Sequence, residues 1–219
     1  DSFQEVDITG ITMPVVKHSY LITDVRDLAR AVKEAFYIAR SGRPGAVLID
    51  IAVDVQRTET EFHYPAEVNL PGYKPHLYGN GRQIKQAAEM INAAKRPLLI
   101  AGRGITIAGA ERELRELVDK AQIPVVSTLL GKTTLDEAHP LSLGMGGMHG
   151  EACTNLAMQS ADLIVGIGTR FDDRLTSTAK TFAPLAKVIH IDVDPAEIGK
   201  RVRVDLPIVG DALNVLREL

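Results

Sequence analysis

The sequence predicts an α/β protein: a parallel sheet covered by helices on both faces, preceded by a partial α/β unit and a linker. Three observations carry this. The apolar runs "AVLIDIAV", "PLLI", "ADLIVGI" and "KVIHIDV" have the unbroken character of strands buried on both sides. Segments with apolar residues at helical spacing alternate with them. Glycine-bearing loops follow, or lie beside, the strands of the C-terminal part.

In chain order, residues 1–22 read as a loop feeding a short strand, "VVKHSYLI". A helix follows, capped by Thr23 or Asp24, with Leu28, Val32, Ala35, Phe36 and Ala39 as its inward face. "SGRPG" breaks it, the strand "AVLIDIAV" comes next, and this unit closes at residue 56. Residues 57–79 carry three prolines and no sustained period. They read as a linker, or as a strap lying across the first unit. From residue 80 the pattern is regular to 219. A helix is marked by Ile84, Ala87, Ala88 and Ile91, and a strand by "RPLLIAG". Leu114, Leu117, Val118 and Ala121 mark a second helix, and "IPVVST" a second strand. A glycine-rich stretch then leads into a helix near 151–160, ahead of the last two strands.

Composition narrows the function classes. With 219 residues, 45% hydrophobic and 24% charged, the chain has the make-up of a soluble globular protein with a substantial core. A net charge of -3 gives no basic face for nucleic acid. No long uncharged apolar run suggests a membrane span. The single cysteine, Cys153, excludes an internal disulfide framework, fits a reducing compartment such as the cytoplasm, and reads as a packed small side chain. The chain opens without methionine and closes inside an apparent helix, so it reads as a piece of something longer.

Five features carry candidate chemistry. In "AGRGITIAG", Gly102 and Gly104 either let a backbone approach a phosphate or make a plain tight turn. "STLLGKTT" is the second loop. "GMGGMHG" presents Met148 and His149, and no other histidine stands at a ligand spacing, so no metal site is expected. "GTRFDDR" places Arg170 and Arg174, anion clamps by chemistry, at the exit of an apolar strand. Asp173 is expected to hold Arg174 or accept from a ligand, and Asp172 to shape the turn. "HIDVDP" ends a strand at Asp192, suited to a ribose or an adenine edge, with Asp194 as the cap of a helix "PAEIGK". A nucleotide cofactor across the strand ends accounts for all five.

Taken together, "DSFQEVDITGITMPVVKH", "SGRPGAVLIDI", "GMHG", "GTRFDDR" and "HIDVDPAEIGK" resemble the large catalytic subunit of the acetohydroxyacid (acetolactate) synthase family, thiamine-diphosphate enzymes. The resemblance implies that residues 1–56 are the end of the pyrimidine-binding domain, 57–79 a linker, and 80–219 the central FAD-binding domain. It implies FAD contacts at Arg43, Gly102, Arg103, Gly104, Thr128, Leu129, Leu130, Gly147, Met148, His149, Gly168, Arg170, Asp173 and Arg174. On the adenosine side it adds Asp192, Val193, Asp211 and Ala212. Phe3 and Gln4 match positions near the substrate and thiamine cofactor. The activating glutamate and the metal motif for thiamine diphosphate and Mg2+ fall outside this chain, so the segment alone is expected to be inactive. The parent would decarboxylate pyruvate and condense the two-carbon unit with pyruvate or 2-ketobutyrate, the first shared step toward valine, leucine and isoleucine. It would be a homo-oligomer, with a small regulatory subunit as a further partner. Ala52 and Val53 replace the proline and lysine usual in the family. The alternatives are pyruvate oxidase, glyoxylate carboligase, or a non-catalytic nucleotide-binding module.

Overall fold

The computed structural model describes residue 3 and residues 5–219. The chain forms two compact units, divided between Pro75 and His76.

The first unit holds helix α1 (Ile8–Thr12), strand β1 (His18–Ile22), helix α2 (Val25–Arg40) and strand β2 (Val47–Ile51). β1 and β2 pair in parallel, Tyr20 opposite Ile49, and no other strand joins them among the described residues. The N-cap of α2 is Asp24, whose carboxylate accepts from the Arg26 amide. Its buried stripe is Ala31, Glu34, Ala35 and Ile38. The expected inward Phe36 is instead 67% exposed. The stripe runs one residue off that prediction because Glu34 can be buried. The Tyr20 hydroxyl donates to its Oε2 at 3.0 Å, and Arg30 pairs with it at 3.0 Å. Burial beside that carboxylate pushes the Tyr20 phenol up to about 12.

The C-terminus of α2 is closed by a cation. Lys17 Nζ donates to the carbonyls of Ile38 (2.6 Å), Ser41 (2.6 Å) and Arg43 (2.9 Å), where the helix leaves acceptors without intrahelical donors. Residues 57–75 lie along this unit. Lys33 Nζ donates to the Pro65 and Ala66 carbonyls, and the Tyr73 hydroxyl donates to the Ser41 carbonyl at 2.9 Å.

The second unit is a six-stranded, wholly parallel sheet. Its strands are β3 (Pro97–Ala101), β4 (Val125–Ser127), β5 (Ser142–Met145), β6 (Leu163–Ile167), β7 (Lys187–Asp192) and β8 (Leu206–Val209). Their order across the sheet is β5-β4-β3-β6-β7-β8. Counted within this unit, that is 3-2-1-4-5-6, with the order reversing between β3 and β6. It is the doubly wound arrangement, in which ligands bind outside the carboxyl ends at the reversal point. Side chains alternate across the sheet as strand geometry requires. Leu99, Val125, Val165, Ile189 and Leu206 enter one core, and Leu98, Val126, Ile164 and Val188 the other.

The first core is covered by helices α3 (Gly81–Ala93), α4 (Arg103–Ala108), α5 (Glu111–Ala121) and α8 (Ala212–Glu218). Glu113 on α5 sits between Arg112 and Arg217, each at 3.0 Å, which ties α5 to α8. The second core is covered by α6 (Ala152–Ser160), α7 (Asp173–Thr176) and the loops bearing Phe171, Phe182 and Val202. Two strands beyond the sequence reading, β5 and β8, form the sheet edges. Each has four residues, and β8 contains Pro207, which an edge strand tolerates because one side makes no ladder. "PAEIGK" forms turns and no helix: Asp194 accepts from the Ala196 amide at 3.0 Å, and the chain then turns again at Gly199. Cys153 is exposed on α6, not packed. No helix is long and apolar enough to cross a membrane among the described residues.

Candidate functional site

Because all six strands are parallel, their carboxyl ends share one edge of the sheet. Gly102 to Gly104 follow β3, Thr128 to Leu130 follow β4, and Gly147 to His149 follow β5. Gly168 to Arg174 follow β6, Asp192 ends β7 with Val193 next, and Asp211 and Ala212 come just after β8. Every candidate of the second unit is therefore on this edge. Arg43, exposed in the turn after α2, and Phe3, 93% exposed, belong to the first unit. Gln4 lies outside the described residues.

At the reversal point the loops after β3 and β6 are in backbone contact. The Gly104 amide donates to the Gly168 carbonyl at 3.0 Å, and the Gly102 amide to the Ile167 carbonyl at 2.9 Å. A Cβ on Gly102 would lie 2.1 Å from the Gly168 oxygen. At Gly102 and Gly104 of "AGRGITIAG" the space a side chain would need is therefore taken by the neighbouring loop. Arg103, exposed between them, remains directed to solvent.

"GTRFDDR" is a charged rim on an apolar anchor. Phe171 is 1% exposed at a φ of +50°, while Arg170, Asp173 and Arg174 are exposed. A bulky side chain in the left-handed region marks stored strain, which recurs at binding sites. Its ring packs edge-on against His190 (4.9 Å) and Phe182 (6.0 Å). Asp172 caps α7 by accepting from the Leu175 amide, the turn-shaping role expected of it. It also accepts from Arg170 at 3.1 Å, so Asp172 orients one of the two arginines of the rim. As the cap, Asp172 is fixed beside the loop and within reach of Arg170. Asp173, one position on, projects from the first turn. Arg174 Nη1 instead reaches Met148 Sδ at 3.9 Å. A shallow cleft of about 160 Å³ is lined by Arg170, Asp172, Asp173, Glu197, Lys200 and Arg201.

Apolar and cationic groups share this edge. Leu129 is 69% exposed, Leu130 60% and Met148 58%, which leaves apolar surface open on this edge. His149 is exposed nearby. On the β7 and β8 side the carboxylates are engaged. Asp192 accepts from the Asp194 amide at 2.9 Å, Asp211 caps α8 through the Leu213 amide at 3.0 Å, and Ala212 is buried. No group of three or more His, Cys, Asp and Glu is arranged to hold a metal among the described residues.

Three supporting residues escaped the sequence reading. Asn155 brackets Gly147, Phe171 anchors the rim, and His190 supports it from beneath. His190 is 1% exposed and its Nε2 donates to the Thr169 carbonyl at 2.7 Å, while Nδ1 is buried without a partner. Burial pushes this imidazole below its ordinary value of 6.5. The folded protein then holds fewer protons than the unfolded chain just below that value. Its contribution is complete above pH of about 6.5 and declines as the pH falls, by up to about 1.4 kcal/mol per unit until the folded value is reached. The midpoint of thermal unfolding should fall between pH 7.5 and 5.5, and less so in His190→Gln. Equal acid sensitivity in the two proteins would contradict a neutral, buried His190.

Comparison with known proteins adds independent findings. A family model described as "Thiamine pyrophosphate enzyme, central domain" matches residues 84–219. The chain is 51% identical over 219 residues to the acetolactate synthase large subunit of Corynebacterium glutamicum, covering 100% of the chain and 35% of that protein. It is 50% identical over 222 residues to a probable acetolactate synthase large subunit of Methanocaldococcus jannaschii, covering 100% of the chain and 38% of that protein. To an acetolactate synthase of Arthrospira platensis it is 52% identical over 224 residues, covering 100% of the chain and 39% of that protein. The chain thus spans little more than a third of the length of these curated relatives.

Proposed function

Since the chain belongs to the thiamine pyrophosphate enzymes and carries their central domain, we propose that it is part of an acetolactate synthase large subunit and that its second unit binds FAD. One observation carries the enzyme assignment: about half the residues are identical to acetolactate synthases across the entire chain. A shared central domain alone would not support it, because one fold serves several chemistries.

The carboxyl edge fits a flavin dinucleotide on chemical grounds. Exposed Leu129, Leu130 and Met148 suit the apolar faces of a flat ring system, while Arg170 and Arg174 suit its phosphates or polar edge. Asp173 offers an acceptor. The Arg170 guanidinium is already oriented by Asp172, so part of the cost of fixing it is met before binding. The adenosine-side residues Asp192, Val193, Asp211 and Ala212 complete the proposed contact set of the second unit.

In the complete enzyme, thiamine diphosphate with Mg2+ supplies the decarboxylation and carbon–carbon bond chemistry. The residues of this chain bind and orient. By the family resemblance, Phe3 and Gln4 match positions assigned to the neighbourhood of the substrates, pyruvate and a second 2-ketoacid, and the flavin surface would organise the central domain. Assembly into a homo-oligomer with a small regulatory subunit, in the cytoplasm, completes the proposal.

The test is a flavin titration of the complete polypeptide. A charge-assisted hydrogen bond contributes about 1.5 to 3 kcal/mol. Arg170→Ala should therefore weaken FAD by roughly tenfold to a hundredfold. Arg82→Ala, exposed in the first turn of α3, should leave it unchanged. Equal affinities in the two variants would remove Arg170 from the site.

A further inference from the structure

The loop after β5 is gripped by a single side chain from α6. The Gly147 amide donates to Asn155 Oδ1 at 2.8 Å, and Asn155 Nδ2 donates to the Gly147 carbonyl at 2.9 Å. A carboxamide carries a donor and an acceptor on one plane, so it can bracket both polar groups of one residue. Aspartate lacks the donor and alanine lacks both. The bracket also fixes the orientation of the amide, since the reverse would oppose donor to donor and acceptor to acceptor.

The gripped residue sets the course of the loop beyond it. Gly147 has a φ of +97°, and a Cβ there would lie 2.4 Å from the Arg174 carbonyl oxygen. That same oxygen accepts from the Met148 amide at 2.7 Å. Asn155 thus holds Gly147 against α7, Gly147 sets the direction of Met148, and the Met148 sulfur meets the Arg174 guanidinium. Buried Thr154, the preceding residue, donates its hydroxyl to the Leu143 carbonyl and fixes the helix to β5 itself.

We propose that Asn155 is a positioning residue of the flavin surface, bracketing Gly147 so that Met148 and Arg174 are presented together before the cofactor arrives. This role rests on the proposal that the second unit binds FAD. Without the bracket the loop must be ordered at the expense of binding, and affinity should fall roughly tenfold.

The experiment uses the complete polypeptide in wild-type, Asn155→Ala, Asn155→Asp and Leu156→Ala forms. Asn155→Asp preserves the volume of the side chain, and Leu156, on the same helix, is 68% exposed. Amide hydrogen exchange across residues 147–150 is measured without FAD. FAD affinity and the visible circular dichroism of the bound flavin are measured next. Both Asn155 variants should exchange faster at 147–150, bind FAD about tenfold more weakly and give an altered flavin spectrum. Leu156→Ala should change none of these. Unchanged exchange in the Asn155 variants overturns the bracket. Faster exchange with unaltered FAD affinity and spectrum overturns the positioning role. Wild-type protein that binds no FAD overturns the flavin reading and the role built on it, and the exchange data separate that failure from a failure of the bracket.

Discussion

Phe171→Ala should lower stability by about 3–5 kcal/mol, the range for truncating a buried aromatic, and loosen the flavin with it. Phe171 is the apolar anchor of a segment whose neighbours Arg170, Asp173 and Arg174 lie in solvent. It fills the space above Gly166, where a Cβ would lie 2.4 Å from its Cζ, and closes against His190 and Phe182. Alanine would leave a cavity under the rim, and glycine at 166 has no side chain to collapse into it. The left-handed φ would remain, without the packing that offsets it. Denaturation of the complete polypeptide should show a midpoint lower by roughly 10 °C. A shift below about 2 °C would mean that the rim stands without its anchor.

The same residue shows where sequence reading succeeded and where it stopped. β3, β6 and β7 were legible because a strand buried on both faces leaves an unbroken apolar run, and Leu163 to Ile167 are all buried. Their ends were legible too, since charge directly after such a run marks the point where the chain reaches solvent. Phe171 was not, because one aromatic among four charges gives no period, and only the fold shows that His190 lies beside it. Phe36 failed for the opposite reason. An apolar residue at helical spacing was assigned inward, yet Glu34 takes the buried position through Tyr20 and Arg30. β5 and β8 were too short, and too interrupted by Gly144 and Pro207, for two-fold alternation to register. The order of the strands, which sets β3 and β6 at the reversal point, depends on pairings that no local pattern encodes.

Gly168→Ala tests that reversal point most directly. Gly168 has a φ of +57°, and a Cβ there would lie 2.5 Å from Gly104 Cα and 2.9 Å from both Gly104 C and N. These are backbone atoms of the adjacent loop, held by hydrogen bonds from the Gly102 and Gly104 amides, so they cannot swing aside as a side chain would. Two costs add. The left-handed conformation disfavours alanine by about 1–2 kcal/mol, and overpacking adds about 1–3 kcal/mol. Gly109, the C-cap of α4, separates them: its φ is +66°, and a Cβ there would meet nothing within 4 Å. Gly109→Ala should therefore show the conformational cost alone and bind FAD normally. Gly168→Ala should lose more stability and force the loops after β3 and β6 apart. Gly102, Arg103 and Arg170 would then move out of register, weakening FAD by about a hundredfold, the equivalent of roughly 2.7 kcal/mol. Matching losses of stability in the two variants, with FAD affinity intact in both, would show that the two loops yield to a methyl group and that their contact does not shape the site.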